Sequence, residues 1–232
     1  MAIEHLRVPL YKTLGKIAAL WAAVNIGFYT FLPILGVDLS YNNTPVAITL
    51  YYVVWLLISV YVFWDIFSKW LPTENRVWVY GLLCGAYGAF IFFMLFVLSQ
   101  LPIPQVPRIA QYTDIIFATP WYFLPKALDI LIQQVLIAAL ILALATTFRS
   151  VKKTSIVYAV CFGGVHILLF AIGGAPTPYT MVMTLGAVAS AFIFPYLILR
   201  VPSGFVYNYM IHLTFYVALV MISHTWPPPA IS

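Results

Sequence analysis

The feature that most constrains this chain is a series of seven long apolar segments, separated by short polar or proline- and glycine-containing breaks. They cover residues 15–37, 46–67, 77–100, 127–147, 154–172, 179–199 and 203–224. Each is close to the roughly 20 residues that a helix needs to cross the hydrocarbon of a bilayer. A barrel strand would instead alternate over about 10 residues. We therefore predict an all-α polytopic membrane bundle of about seven transmembrane helices.

The composition agrees with a lipid environment. Apolar residues make up 64% of the chain and charged residues 7%, whereas soluble domains carry about 25% charged residues. The lipid bilayer is thus the partner that composition identifies, and residues 1–232 are expected to form a single membrane domain. No basic run with interleaved aromatic residues occurs, so nucleic acid is not a predicted partner.

The distribution of basic residues predicts the orientation of the bundle. With the N-terminus inside, nine basic residues fall in inside segments: Arg7, Lys12, Lys16, Lys69, Arg76, Arg149, Lys152, Lys153 and Arg200. The outside segments then hold only Arg108 and Lys126. This asymmetry follows the positive-inside rule. The first apolar stretch is too long for the core of a cleaved signal peptide, so it is expected to remain as the first helix.

Two further patterns lead to expectations about packing. Gly81, Gly85 and Gly88 form a stripe on the third helix, and Gly186 and Ser190 are four residues apart on the sixth. Small residues at this spacing allow helices to approach closely, so both sets are expected to face a neighbouring helix. Residues 109–124 mix aromatic and polar side chains and are expected at the outer interface, either as a connector or as a lid over an entrance.

Polar side chains at membrane depth are costly and mark candidate functional positions. Here they are Asn25, Asp129, Gln133, Gln134, His166, Asn208 and His212. Asn208 and His212 share one helix face, and Asp129 and Gln133 share another, because each pair is four residues apart. One interpretation is a polar functional centre in the outer half of the bundle. The other is a set of hydrogen bonds between helices.

Residues 125–224 resemble the CPBP family, the group of type II CAAX prenyl endopeptidases and bacteriocin-processing membrane proteins. The family carries a Glu-Glu-x-x-x-Arg motif, then Phe-x-x-x-His, then a late His-x-x-x-Asn helix. In this chain the corresponding segments are Gln133-Gln134-Val-Leu-Ile-Ala138, Phe162-Gly-Gly-Val-His166, and the helix of Asn208 and His212 that follows the turn Arg200-Val-Pro-Ser-Gly204. The resemblance implies an intramembrane protease fold, with a site at Gln133, Gln134, Phe162, His166, Asn208 and His212.

The chain departs from the family pattern at the residues that carry its chemistry. Gln133 and Gln134 replace both glutamates, Ala138 replaces the arginine, and Tyr216 replaces the late asparagine. A primary amide cannot act as a general base at neutral pH. Asp129, one turn from Gln133, is the alternative base. Two histidines with neutral amides also make a poor zinc site, so no metal or other cofactor is predicted.

Three functions therefore stay open at the level of sequence. The leading hypothesis is a CPBP-like membrane protein, with impaired or no proteolytic activity, that binds a peptide or a lipidated protein segment. The second is an active but divergent membrane endopeptidase, or one whose glutamates were replaced. The third is a small transporter or channel with Gln133, Gln134, His166 and His212 along its path, although the two halves of the chain show no repeat. The expected location is the plasma membrane of a prokaryote.

Overall fold

Long apolar helices dominate the structure, a computed structural model that describes residues 8–70, 76–102, 114–172 and 178–225. The described residues are 84% helical and contain no strand. Seven helices are long and apolar enough to cross a membrane, which confirms the predicted all-α polytopic bundle. The spans are Leu10–Ile34, Pro45–Val62, Tyr80–Ser99, Phe123–Phe148, Val151–Leu168, Met181–Arg200 and Gly204–Thr225.

The described residues form ten α-helices. They are α1 (Leu10–Ile26), α2 (Leu32–Ile34), α3 (Pro45–Val62), α4 (Trp64–Trp70), α5 (Arg76–Ser99), α6 (Phe123–Phe148), α7 (Val151–Tyr158), α8 (Gly164–Ile172), α9 (Pro178–Arg200) and α10 (Gly204–Thr225). A π-helical turn at Gly27–Phe31 joins α1 to α2, and a second at Ala159–Gly163 joins α7 to α8. Each of these two spans is therefore one helix with a wide turn inside it.

Helix α6 forms the centre of the bundle. About 78% of the residues in its most apolar stretch are buried, whereas the corresponding share is 17–39% in the other six spans. It packs against α1, α3, α4, α5, α7, α9 and α10. A helix that is apolar on all sides is stable only when it is surrounded, and the run from Val135 to Ala145 meets that condition. Polar residues on α6 consequently lie at the most enclosed positions of the bundle.

Two core clusters meet along α6. The first surrounds its N-terminal half and includes Ile48, Met94 and Leu213. The second surrounds its C-terminal half and includes Phe63, Tyr158 and Phe194. Ile132 belongs to the first cluster and Val135 to the second. The two glutamines between them, Gln133 and Gln134, therefore lie at the junction of the two clusters.

The glycine positions divide into two kinds. The prediction for Gly81, Gly85 and Gly88 is wrong, because they face outward and a Cβ on any of them would meet no atom within 4 Å. Small residues show where helices can approach, but their spacing does not fix which face is used. At Gly186, by contrast, a Cβ would collide with the Phe215 ring of α10. The close approach predicted at Gly186 is confirmed.

The connector before α6 is anchored to the loop between the first two spans. Asn42 donates from Nδ2 to the carbonyl oxygen of Asp114 at 3.0 Å, and its Oδ1 accepts from the Thr119 amide at 2.8 Å. Ile115 and Ile116 are buried beneath it. Of the segment 109–124, residues 109–113 lie outside the described part. The described remainder favours the connector interpretation over a lid.

The predicted orientation can be tested with topology reporters. We expect a reporter fused after Lys153 to report the inner side and one fused after Pro229 the outer side, because an odd number of spans separates them. Protease protection of the same fusions in membrane vesicles provides an independent measurement. Both reporters on one side would contradict the arrangement of seven spans with the N-terminus inside.

Candidate functional site

Gln133 and Gln134 point to different sides of α6, because consecutive residues of a helix are about 100° apart. Gln134 is fully buried and faces α10, whereas Gln133 is partly buried and faces α1 and α3. The glutamine pair thus contributes to two separate groups of polar side chains. We call them the amide–histidine centre, at Gln134 and His212, and the ion-pair cavity, at Lys126, Asp129 and Gln133.

The amide–histidine centre joins α6 to α10. The carboxamide nitrogen of Gln134 lies 2.9 Å from Nδ1 of His212, so the amide donates to the imidazole and the imidazole proton is on Nε2. The histidine ring lies between two aromatic rings, with centroids 5.5 Å away at Tyr216 and 6.1 Å away at Phe194. The other amide atom, Oε1 of Gln134, is buried and has no partner. This side of the centre therefore has an unused acceptor.

Asn208 lies one helical turn from His212 and is fully buried. Its Nδ2 donates to the carbonyl oxygen of Phe194 on α9 at 3.3 Å, and its Oδ1 is buried without a partner. The same Phe194 presents its ring to His212. This hydrogen bond links α10 to α9 directly beside His212.

Phe162 and His166 are in ring contact on the fifth span, with their planes tilted by 50°. Their ring centroids are 4.5 Å apart, and Phe162 stacks in turn on Tyr158 at 5.2 Å. His166 Nδ1 lies 2.8 Å from the carbonyl oxygen of Phe162, so the histidine donates to its own helix. Phe162 belongs to the π-helical turn, a feature that is frequent at functional sites. Helix α8, which carries His166, packs on α9.

The structure therefore brings some of the sequence-predicted site residues together and separates others. Gln134 and His212 are bonded, Asn208 is adjacent to them, and Phe162 and His166 contact each other. Gln133 turns away from this group, since its Nε2 donates to Oδ1 of Asp129 at 3.0 Å. The family resemblance also predicts that Gln133 or Gln134 approaches His166 and His212 in one water-holding cavity between the fourth, fifth and seventh spans, and this stays a prediction.

The ion-pair cavity contains a feature that the sequence interpretation missed. Lys126 Nζ lies 2.7 Å from Oδ2 of Asp129, and both side chains are largely buried, with 12% and 16% exposure. Lys126 was predicted to precede the helix, but α6 begins at Phe123 and includes it. The spacing of Lys126 and Asp129 could have predicted this ion pair, because lysine and aspartate three residues apart face each other on a helix. The ammonium also lies 4.4 Å from the centroid of the Tyr216 ring.

A chain of tyrosine hydroxyls extends from Asp129 towards α3. Tyr41 donates to Oδ2 of Asp129 at 3.2 Å, and the Tyr41 and Tyr52 hydroxyls are hydrogen-bonded to each other. Burial, with the nearby Asp129 carboxylate second, holds the pKa of Tyr41 well above its usual range. Tyr41 therefore stays protonated and remains a donor at neutral pH. With Lys126 and Gln133, it gives Asp129 three donors.

These groups line a cavity of about 170 Å³ between α1, α3 and α6. Its walls include Val24, Asn25, Phe28, Tyr41, Tyr52 and Gln133. Trp21 and Tyr29 also line it and are 56% and 68% exposed on the outside of the first span. Because that surface lies on a membrane span, the cavity reaches the lipid-facing side of the bundle. The π-helical turn at Gly27–Phe31 supplies Phe28 and Tyr29 to it.

The ion-pair cavity and the amide–histidine centre differ in whether they contain a carboxylate. The exposed carboxylates Asp38, Asp65 and Asp114 lie outside the bundle core, so Asp129 is the one carboxylate enclosed by the described helices. Its three donors hold it on the α1 side of α6, away from the bond between Gln134 and His212. The amide–histidine centre thus contains no carboxylate, and its amide cannot act as a general base at neutral pH.

Together the fold and these polar groups define an integral membrane protein with seven helical spans and two polar centres inside it. No protein-family model, curated protein or solved structure matches the chain.

Proposed function

We propose that this chain is a CPBP-like membrane protein that binds a peptide or a lipidated protein segment without cutting it. The observation that carries this proposal is the hydrogen bond that the Gln134 carboxamide donates to His212. It lies at the place where the family resemblance implies a glutamate beside a histidine. An amide can hold and orient a ligand, but it cannot take a proton from water at neutral pH. The plasma membrane of a prokaryote is the location that accompanies this proposal.

The surroundings of the centre support a binding function. Gln134 Oε1 and Asn208 Oδ1 are two buried acceptors without partners. Buried polar atoms are normally satisfied by hydrogen bonds, and an exception points to a position where water or a ligand can bind. Either oxygen can accept a hydrogen bond from a peptide N–H. The aromatic rings of Phe194 and Tyr216 beside His212 provide apolar contacts for an attached side chain or lipid.

Cleavage and binding can be measured on the same samples. We expect a labelled prenylated peptide to bind saturably to the protein in proteoliposomes, with no hydrolysis detectable by mass spectrometry. Loss of a general base costs about 10²–10⁴-fold in rate, and Gln134→Glu is the variant that restores a carboxylate beside His212. His212→Ala should weaken peptide binding. His224→Ala is the matched control, because that histidine contacts Pro102 at the far end of α10.

Two outcomes would contradict the proposal in different ways. Hydrolysis by the unmodified protein that His166→Ala abolishes would identify a divergent endopeptidase. An absence of saturable peptide binding, with the protein folded, would remove the peptide ligand.

A transporter is the second candidate, and the Lys126–Asp129 pair is the observation that favours it. Ionisable residues inside a membrane protein often mark a substrate or proton path, and here the tyrosine chain lengthens the polar region. A transporter would show solute or proton flux in proteoliposomes that Asp129→Asn abolishes, whereas the binding protein would show none.

A further inference from the structure

The ion-pair cavity has hydrogen-bonding capacity that its own residues do not use. An ammonium group has three donors, and Lys126 gives one to Asp129. Asp129 accepts three hydrogen bonds, two at Oδ2 and one at Oδ1, out of the roughly four that a carboxylate can accept. On the acceptor side, Gln133 and Asn25 donate through their amide nitrogens, at 3.0 Å to Asp129 and 2.8 Å to the Trp21 carbonyl. Their carbonyl oxygens accept no hydrogen bond within the described structure. Donors and acceptors are therefore both available to a ligand.

The charges of the cavity select against an ionic ligand. Lys126 and Asp129 are 2.7 Å apart and cancel each other. A carboxylate or phosphate drawn to Lys126 would approach Asp129 as well, and an amine drawn to Asp129 would approach Lys126. Taking an isolated charge out of water is costly. An uncharged head that both donates and accepts hydrogen bonds, such as a hydroxyl group, meets neither penalty.

The shape of the cavity fixes the rest of the ligand. A cavity of about 150 Å³ is large enough for a benzene-sized molecule, so 170 Å³ takes a small polar head and a few methylene groups. The cavity has no room for a second chain, which would have to leave through the same opening beside Trp21 and Tyr29. The exposed Trp21 and Tyr29 at its edge lie on a membrane span. A single acyl chain can therefore leave the cavity between these aromatic rings and continue in the bilayer.

From these observations we infer that the cavity between α1, α3 and α6 is a binding site for the hydroxyl-bearing head of a single-chain, uncharged lipid of the monoacylglycerol class. Lys126 donates to a ligand oxygen, Gln133 and Asn25 accept from its hydroxyl groups, and Phe28 with Tyr29 contacts the first part of the chain. This site lies on a different side of α6 from the amide–histidine centre, and it does not depend on whether that centre binds or cuts a peptide.

Native mass spectrometry of the protein released from detergent tests this inference. The probes are mono-oleoylglycerol, oleate, dioleoyl phosphatidylglycerol and free glycerol at equal concentrations. We expect a one-to-one adduct with mono-oleoylglycerol that is at least tenfold more abundant than the adducts with the other three. Oleate retained equally would identify a carboxylate site, and an equal two-chain adduct would indicate ordinary annular lipid. Either result overturns the inference.

A cavity-filling variant localises the adduct. Asn25→Phe places a ring in the cavity without changing the ion pair, and it should reduce the mono-oleoylglycerol adduct at least tenfold. Thr214→Phe is the matched control, because it adds the same ring to an exposed position on α10 and should leave the adduct unchanged. A melting temperature close to that of the unmodified protein shows that Asn25→Phe is folded. If it is not, Asn25→Leu, which removes the acceptor, is the second variant. An adduct that persists in the folded variant would place the lipid elsewhere.

Discussion

Replacing Lys126 by methionine is expected to lower the free energy of unfolding by about 3 kcal/mol, the lower end of the roughly 3–5 kcal/mol for breaking a buried ion pair. The substitution keeps most of the side-chain volume but leaves Asp129 without its closest partner, at 2.7 Å. Tyr41 and Gln133 still donate to the carboxylate, which limits the loss. Asp129→Asn leaves the buried ammonium without a counter-charge, beside a neutral amide and the Tyr216 and Tyr41 rings, so the effect should be at least as large.

The measurement is denaturant-induced unfolding in mixed micelles, with a double variant and an exposed pair as controls. Lys126→Met combined with Asp129→Asn should cost less than the sum of the single changes, because no unpaired charge remains. The exposed pair Lys16–Asp65 has a separation of 3.8 Å and exposures of 42% and 65%. Such pairs contribute about 0–1 kcal/mol, so Asp65→Asn should change little. Equal effects of Asp129→Asn and Asp65→Asn would contradict a buried pair.

The second large effect is expected at Gly204, the first residue of α10. A Cβ at this position would collide with the carbonyl group of Leu197 on α9, since the turn at Val201–Ser203 folds the two helices tightly together. The neighbouring Ser203 already has a positive φ of 55°. Overpacking costs about 1–3 kcal/mol and occasionally more. Because backbone cannot rotate away as a side chain can, we expect Gly204→Ala to reach the upper end of that range.

A series of three glycine-to-alanine variants makes this expectation testable. The fall in Tm should be largest for Gly204→Ala, on the order of 5–10 °C for a chain of this size. Gly186→Ala should be intermediate, because the Phe215 ring that it meets can move. Gly85→Ala should be neutral, since it adds a methyl group to an exposed face. A decrease for Gly85→Ala equal to that for Gly204→Ala would show that the helix contacts are assigned incorrectly.

The spans of this protein could be predicted from the sequence because the length of an apolar run matches the thickness of the hydrocarbon. The beginning of α6 could not, since Lys126 interrupts the apolar pattern and only its partner explains why it lies within the helix. Proline at position 125 is also compatible with a first turn, where its missing N–H has no helical acceptor. Charge patterns thus predict a helix end less well when the charge is paired.

In the two polar centres, too, some contacts could be predicted from the sequence and others could not. The shared face of Asp129 and Gln133 followed from their four-residue spacing and is confirmed by their hydrogen bond. That Gln134 bonds His212, 78 positions further along the chain, depends on how α6 and α10 are rotated about their axes. Tyr41 reaches Asp129 from a loop 88 positions away. Helical spacing carries no information about such contacts, so the cavity became visible only in the folded bundle.

The π-helical turn at Ala159–Gly163 lets the fifth span hold one extra residue without changing the direction of the His166 side chain. A π-helical turn contains one residue more than the corresponding α-helical turn. Deleting one residue from it would restore a regular helix and leave His166 pointing in nearly the same direction relative to Tyr158, because either turn closes about one rotation. A deletion within the regular part of α7 would instead rotate the histidine by about 100°. The turn is therefore the place in this span where the chain can lose a residue while the histidine keeps its direction.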